Sequence, residues 1–180
     1  MFDEPKIEVG GAVSVTFDTP LGRLKFDLDP ERAPVTVANF LRHVEADELD
    51  AAEIYRIVAP ANRQESERAP IDVVQWGTPI REGFKSSFPP IEHEPTSQTG
   101  ILHKDGVLSM ARREPGTASS HFFICVGDQP ALDYGGARQA DGLGFAAFGW
   151  LSEGRHVLQR IFERAEASEW ISDPLPMRRV

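Results

Sequence analysis

Short apolar runs at 54–58, 71–76, 107–111, 122–126 and 145–150 recur along this chain, separated by loops rich in Gly, Pro and Asp, and each has the length of a strand. Ahead of them, Val13-Ser14-Val15-Thr16-Phe17 and Leu24-Lys25-Phe26-Asp27-Leu28 alternate apolar and polar residues around Thr19-Pro20-Leu21-Gly22, which predicts an opening β-hairpin. Helical periodicity appears only twice. Pro34 opens one segment, with Val37, Phe40, Leu41 and Val44 on one stripe; Val157, Leu158, Ile161, Phe162 and Ala165 form the other. Met177-Arg178-Arg179-Val180 reads as a last edge strand. Strands and helices do not alternate as βαβ units, which argues against a doubly wound parallel sheet. The pattern predicts a mainly β fold, a closed antiparallel eight-stranded barrel capped by two α-helices.

With 180 residues, 41% of them hydrophobic, the chain can bury a full core as one domain over 1–180. The single cysteine, Cys125, sits inside Phe122-Phe123-Ile124-Cys125-Val126, so no intrachain disulfide is expected and the thiol reads as buried and inert. No stretch approaches the roughly 18 apolar residues of a membrane span, and Met1-Phe2-Asp3-Glu4-Pro5-Lys6 lacks the apolar core of a signal peptide. The expectation is a cytoplasmic protein, with a periplasmic mature form as the alternative. A net charge of −9 repels phosphate backbones and anionic lipid, which argues against nucleic-acid and membrane partners. No heptad or unpartnered apolar helix face calls for assembly, so a monomer is expected. Two long loops, 59–70 and 78–105, are candidates for function.

Four segments join apolar residues to polar groups that a core does not need: Tyr55-Arg56-Ile57-Val58, Val73-Val74-Gln75, Val107-Leu108-Ser109-Met110-Ala111-Arg112 and Ser119-Ser120-His121-Phe122-Phe123-Ile124. If they converge they form a small binding pocket. Taken singly, an arginine on a strand is ordinarily solvated or ion-paired, and Met110 is ordinary core filler. Phe122 and Phe123 are strand neighbours and face opposite ways, so one of them is core. His93, Glu94 and His103 lack metal-ligand spacing, and Ser119 and Ser120 lack the Gly-x-Ser-x-Gly elbow of hydrolases. Neither metal nor cofactor is implied.

Val35-Thr36-Val37-Ala38-Asn39-Phe40, Tyr55-Arg56-Ile57, Gly106-Val107-Leu108-Ser109-Met110-Ala111-Arg112, Ser120-His121-Phe122-Phe123-Ile124-Cys125 and Phe148-Gly149 together resemble the cyclophilins, a class of peptidyl-prolyl cis-trans isomerases. The resemblance covers about Val13 to Ala165, and the long loops are similar to a divergent bacterial branch. It implies an enzyme that turns Xaa-Pro bonds and assists folding, acting on proline-containing peptides and unfolded chains. Carried over by position, Arg56 is implied as the catalytic arginine. Phe123, Met110, Leu132 and Phe145 are implied around the proline ring, and Gln75, Ala111, Arg112 and His121 along the bound peptide. The chain departs from the family where a glutamine is usually found (His121), an asparagine (Arg112), a histidine (Phe145) and a tryptophan (Ala131), and where Gly-Gly-Asp usually follows Gln75 (Trp76-Gly77-Thr78). Loss of the tryptophan implies weak cyclosporin binding. These departures keep a second reading open, a binding module for proline-containing segments with little catalysis. Arg112-Arg113 beside the groove suggests a preference for acidic residues flanking the proline.

Overall fold

The computed structural model describes residues 13–63, 68–81 and 83–180. The N-terminal start discussed above and Glu65 and Glu67 of the first long loop lie outside the described residues. Among the described residues nine strands form one antiparallel sheet: β1 Val13–Thr19, β2 Gly22–Leu28, β3 Glu53–Val58, β4 Val73–Gly77, β5 Val107–Met110, β6 His121–Cys125, β7 Ala147–Glu153, β8 Trp170–Pro176 and β9 Arg178–Arg179. Three α-helices accompany them there, α1 Pro34–Glu45, the single turn α2 Thr96–Thr99, and α3 Arg155–Phe162. The architecture is the expected barrel with two principal helices. It has nine strands, not eight, because β8 is an addition that the residue pattern did not announce.

Strand order is β8-β3-β4-β6-β5-β7-β2-β1-β9. The two outermost strands are therefore consecutive in sequence, with Met177 alone between them. Neighbouring Cα atoms lie only about 3.8 Å apart, so the two margins of the sheet must meet and the barrel is nearly closed. Met177 is fully buried at this seam, and its N–H donates to the Ala52 carbonyl at 2.8 Å. β8 reads poorly as a strand because Trp170-Ile171-Ser172-Asp173-Pro174-Leu175-Pro176 carries two prolines. Proline lacks the donor a central strand needs. At the margin, paired with β3 alone, that loss is tolerated.

Strand alternation fills the barrel with aromatic rings. Trp76 is central to this core: its ring lies 5.0 Å from those of Phe17 and Phe122, 6.2 Å from Phe40 and 6.4 Å from Phe26. All five side chains are fully buried. The indole thus occupies interior space at a position where the resembled family usually has glycine. Phe40 comes from α1, whose Val37 and Val44 are buried beside it.

The start of α1 depends on a residue far away in sequence. Ala33 at the N-cap offers no side-chain acceptor, which leaves orphan N–H groups at the first turn. The buried Glu94 carboxylate accepts from the N–H of Val35 at 3.1 Å, the N–H of Thr36 at 2.7 Å and the Thr36 hydroxyl at 2.5 Å. A negative charge there also complements the helix dipole. The second long loop is in this part structural. Replacing Glu94 by alanine strands those donors in a buried site and is expected to cost about 1–3 kcal/mol of stability. A lowered urea midpoint with an unchanged slope would register it, and an unchanged midpoint would reject the capping role.

Candidate active site

Strand register builds the site before any side chain is considered. Residues directly opposite one another on neighbouring strands share a face. Trp170 pairs with Arg56, Arg56 with Gln75, Gln75 with Phe123, and Phe123 with Ser109. One row of side chains thus crosses five strands on the outward face of the barrel. The next row, Trp76, Phe122 and Met110, points inward. Met110 therefore lies in the interior beside Phe122, only 1% exposed, and does not form a wall of a proline slot. Its odd or even place on β5 decides this.

Beside the outward row lies a groove of about 720 Å³, whose lining includes Tyr55, Arg56, Gln75, Ala111, Arg112 and His121. Tyr55 and Arg56 both face it, which consecutive residues of a regular strand cannot do. The register of β3 shifts between Ile54 and Arg56 against both neighbours, and this bulge re-aims the two side chains. At the end of β4, Gly77 has φ of 152°, and a Cβ there would lie 2.3 Å from the Ser120 carbonyl and 3.0 Å from His121 Nδ1. Glycine is required for His121 to reach the groove.

Arg56 is half-buried and engaged on two sides. Its Nη1 donates to Gln75 Oε1 at 2.9 Å; its Nε donates to Glu169 Oε2 at 2.9 Å, and its Nη2 donates to the same oxygen. A guanidinium has five N–H groups, so one on each terminal nitrogen has no partner among the described residues. Trp170 follows Glu169. Its indole is half exposed, stacks on Tyr55 at 5.7 Å and 16°, and lies 5.8 Å from Arg56 Cζ. Sequence reasoning missed both residues, because they sit in a polar stretch with a weak strand signal.

From Gln75 the polar chain continues inward. Gln75 Nε2 donates to the Tyr55 hydroxyl at 3.1 Å, which lies 2.9 Å from His121 Nδ1. The hydroxyl thus links the Gln75 amide to the His121 ring. Burial, with a smaller effect of nearby His43, holds the His121 pKa below its usual value, and burial raises that of Tyr55. Both groups are therefore neutral at pH 7.

Phe123, Leu132 and Phe145 come together behind the groove. The rings of Phe123 and Phe145 meet edge-on at 5.5 Å, and the Phe145 N–H donates to the Leu132 carbonyl at 2.9 Å. None of the three is more than 7% exposed. The Arg112 guanidinium lies over Phe145 at 5.0 Å, tied to Asp141 by two bonds of 2.9 and 3.0 Å and to the Gly144 carbonyl by two of 2.9 and 2.6 Å. It partitions the apolar cluster from the groove. Ala111, one residue past β5, lies on the groove wall, whereas Arg112 has its charge already matched.

Behind Phe123, the His103 ring stacks at 5.9 Å. His103 Nδ1 is 2.7 Å from Asp133 Oδ1, and Nε2 is 2.8 Å from Ser109 Oγ. His103 and Ser109 are buried under the apolar cluster, with Asp133 partly exposed beside them. His93 instead meets the Leu143 carbonyl and Glu94 caps α1, so the three candidate ligands have separate partners. Among the described residues no cluster suited to a metal ion occurs. Cys125 is fully buried, and burial raises its pKa well above the ordinary thiol value, which suits an unreactive core residue.

A family model described as cyclophilin type peptidyl-prolyl cis-trans isomerase/CLD matches residues 13–180, running past Ala165, where the quoted motifs stop. The chain is 30% identical to the peptidyl-prolyl cis-trans isomerase cyp18 of Streptomyces antibioticus, covering 82% of each chain. It is also 30% identical to peptidyl-prolyl cis-trans isomerase A of Dickeya dadantii, covering 87% of this chain and 75% of that one. Its backbone matches the crystal structure of a cyclophilin type isomerase of Cryptosporidium parvum with a TM-score of 0.71 at 22% identity, over 94% of this chain and 98% of that one. That parasite protein is also known in the presence of the dipeptide Ala-Pro.

Three imidazoles, the buried His43 and His103 and the half-buried His121, have pKa values lowered chiefly by loss of solvent. In the unfolded chain they take up protons as pH falls below about 6.5, whereas the folded chain resists until lower pH. Stability is therefore expected to fall as pH drops below about 6.5. A His121→Gln variant keeps an acceptor for the Tyr55 hydroxyl and removes one of these groups, so its urea midpoint should shift less between about pH 7.5 and 5.5. An equal shift in both proteins would show that His121 contributes nothing to acid sensitivity.

Proposed function

We propose a division of labour for this chain, which belongs to the cyclophilin-type peptidyl-prolyl cis-trans isomerase family and is a peptidyl-prolyl isomerase: Arg56 bonds the twisted prolyl amide while an apolar cluster anchors the ring. The observation that carries this reading is the state of Arg56. It faces the groove, is oriented by two partners, and keeps one N–H on each terminal nitrogen for a ligand.

Rotation about an Xaa-Pro bond opposes amide resonance, a barrier of about 18–20 kcal/mol, and no covalent bond to the peptide forms or breaks. Catalysis must favour the twisted amide over both planar forms. Twisting returns the lone pair to the prolyl nitrogen, which then accepts a hydrogen bond it cannot accept when planar. A permanently charged donor held in place supplies that bond at the transition state. It contributes about 1.5–3 kcal/mol, roughly ten- to a hundredfold in rate. The rest comes from holding the ring while the other half of the bond turns.

Phe123, Leu132 and Phe145 supply the apolar seat, which the ring reaches by displacing the Arg112 side chain from Phe145. Gln75 and Ala111 line the path of the peptide backbone, and His121 holds Tyr55 and through it Gln75. Proline-containing peptides are the ligands; unfolded chains are the substrates this reading favours, acted on by a monomer. Ala131 offers little surface for a macrocyclic ligand, so cyclosporin should bind weakly. Of the two arginines beside the groove, Arg112 is matched by Asp141, and Arg113 is exposed on the groove wall, as is Arg81. These two favour acidic residues near the proline.

Exchange NMR on a short Ala-Pro peptide tests the assignment of Arg56. Arg56→Ala leaves the Glu169 carboxylate unpaired, so Arg56→Lys is the better variant, retaining charge while losing the planar donor set. Its exchange rate at saturating peptide should fall by about tenfold or more with the fold intact; a rate within twofold of the unmodified protein would remove Arg56 from the mechanism. Binding without acceleration by the unmodified protein would instead favour a binding module. In a second assay, peptides carrying Glu beside the proline should bind more tightly at low salt than those carrying Lys, and Arg113→Ala should narrow the gap. Equal affinities would remove the charge preference.

A further inference from the structure

We infer that Glu169 is the positioning residue of this reaction, orienting the Arg56 guanidinium before the peptide arrives; the inference rests on Arg56 being the donor to the twisted amide. Nε and Nη2 lie on one edge of the planar guanidinium, and both donate to Glu169 Oε2. Two bonds from one edge fix the plane as well as the position of the group. Gln75 takes one N–H of Nη1 from another direction. The unpartnered N–H groups then have one orientation instead of the many open to a long side chain.

The carboxylate is committed to this arginine. Glu169 Oε1 is buried and has no hydrogen-bond partner among the described residues, so Arg56 is the group that compensates its charge. Its backbone is equally constrained. The Glu169 carbonyl accepts from the Ile57 N–H at 2.8 Å, immediately after Arg56 in sequence. The Asn62 amide, 7% exposed, donates to the carbonyls of Ile57, Glu166 and Ser168 at 2.9, 3.1 and 3.3 Å. The segment leading into β8 is thereby fastened to the end of β3. The half-exposed Trp170 ring, stacked on Tyr55, limits movement of the guanidinium on the other side.

A carboxylate on the catalytic arginine also lowers the positive potential at the prolyl nitrogen, an electrostatic penalty. Orientation and charge therefore act in opposite directions, and substitution separates them. Glu169→Ala removes both. Glu169→Gln keeps an acceptor oxygen for the arginine and removes the charge. Because ordering the donor matters at the transition state and little in the planar complex, its loss should appear in the rate at saturating peptide and not in affinity.

Exchange NMR on an Ala-Pro peptide, with circular dichroism to establish folding, decides the matter. For Glu169→Ala we expect a rate at saturating peptide lower by about tenfold and a Kd within twofold of the unmodified protein. Glu169→Gln should recover most of the lost rate. The Arg56 Nε–H signal should exchange slowly with water in the unmodified protein and in Glu169→Gln, and be lost by fast exchange in Glu169→Ala. A folded Glu169→Ala protein with full rate would overturn the inference, as would a rate loss matched by an equal loss of affinity, or a Glu169→Gln variant as slow as Glu169→Ala. Arg56→Lys in the same assay separates the two readings: if it too keeps full rate, the role of Arg56 fails; if it alone is slow, only the role of Glu169 fails.

Discussion

Closure of the sheet by its last residues is the constraint on which the site depends. β8 and β9 lie on opposite margins and are joined through Met177 alone, so the barrel cannot open without extracting a fully buried side chain. Closure also gives β3 a second neighbour. Without β8, Arg56 stands on an edge strand, solvated on one side. With it, the arginine is flanked by Gln75 and by the Glu169–Trp170 pair. The same pairing that seals the core supplies the second half of the arginine's surroundings.

Pleating then divides one sheet into two kinds of surface. On β6, Phe122 joins the aromatic core and Phe123 joins the outward row with Arg56 and Gln75. Several polar groups brought into these surfaces are answered locally: Glu94 by the first turn of α1, His103 by Asp133 and Ser109, Arg112 by Asp141 and Gly144. Such matching is what lets charged and titratable groups sit beside buried aromatic rings at modest cost.

Much of this was legible from residue order. Alternation around Thr19-Pro20-Leu21-Gly22 located the first hairpin, and the stripe from Val37 to Val44 located α1, because each signal is local and repeats with the period of its element. The absence of βαβ alternation pointed to an antiparallel barrel. Arg56, Gln75, Ala111 and His121 were found through their place in recognisable segments, and all four line the groove. Met110 was misplaced because adjacency in sequence to Ala111 says nothing about which face its side chain takes. β8 escaped notice since its prolines weaken the strand pattern, and Glu169 because ion pairing across a sequence separation of 113 residues leaves no local trace.

The sequence by itself determined the class of fold and the family, and singled out the strand that carries Arg56, since periodicity, turn chemistry and short motifs are properties of neighbouring residues. Only the tertiary structure decided how that arginine is held, that Arg112 is matched by Asp141 and covers Phe145, and that Trp76 fills the barrel. Those outcomes depend on strand register and on which margins of the sheet meet. Register is a cooperative property of the whole packed chain: shifting one strand by a residue exchanges its inward and outward faces, and no local stretch of sequence carries that information alone.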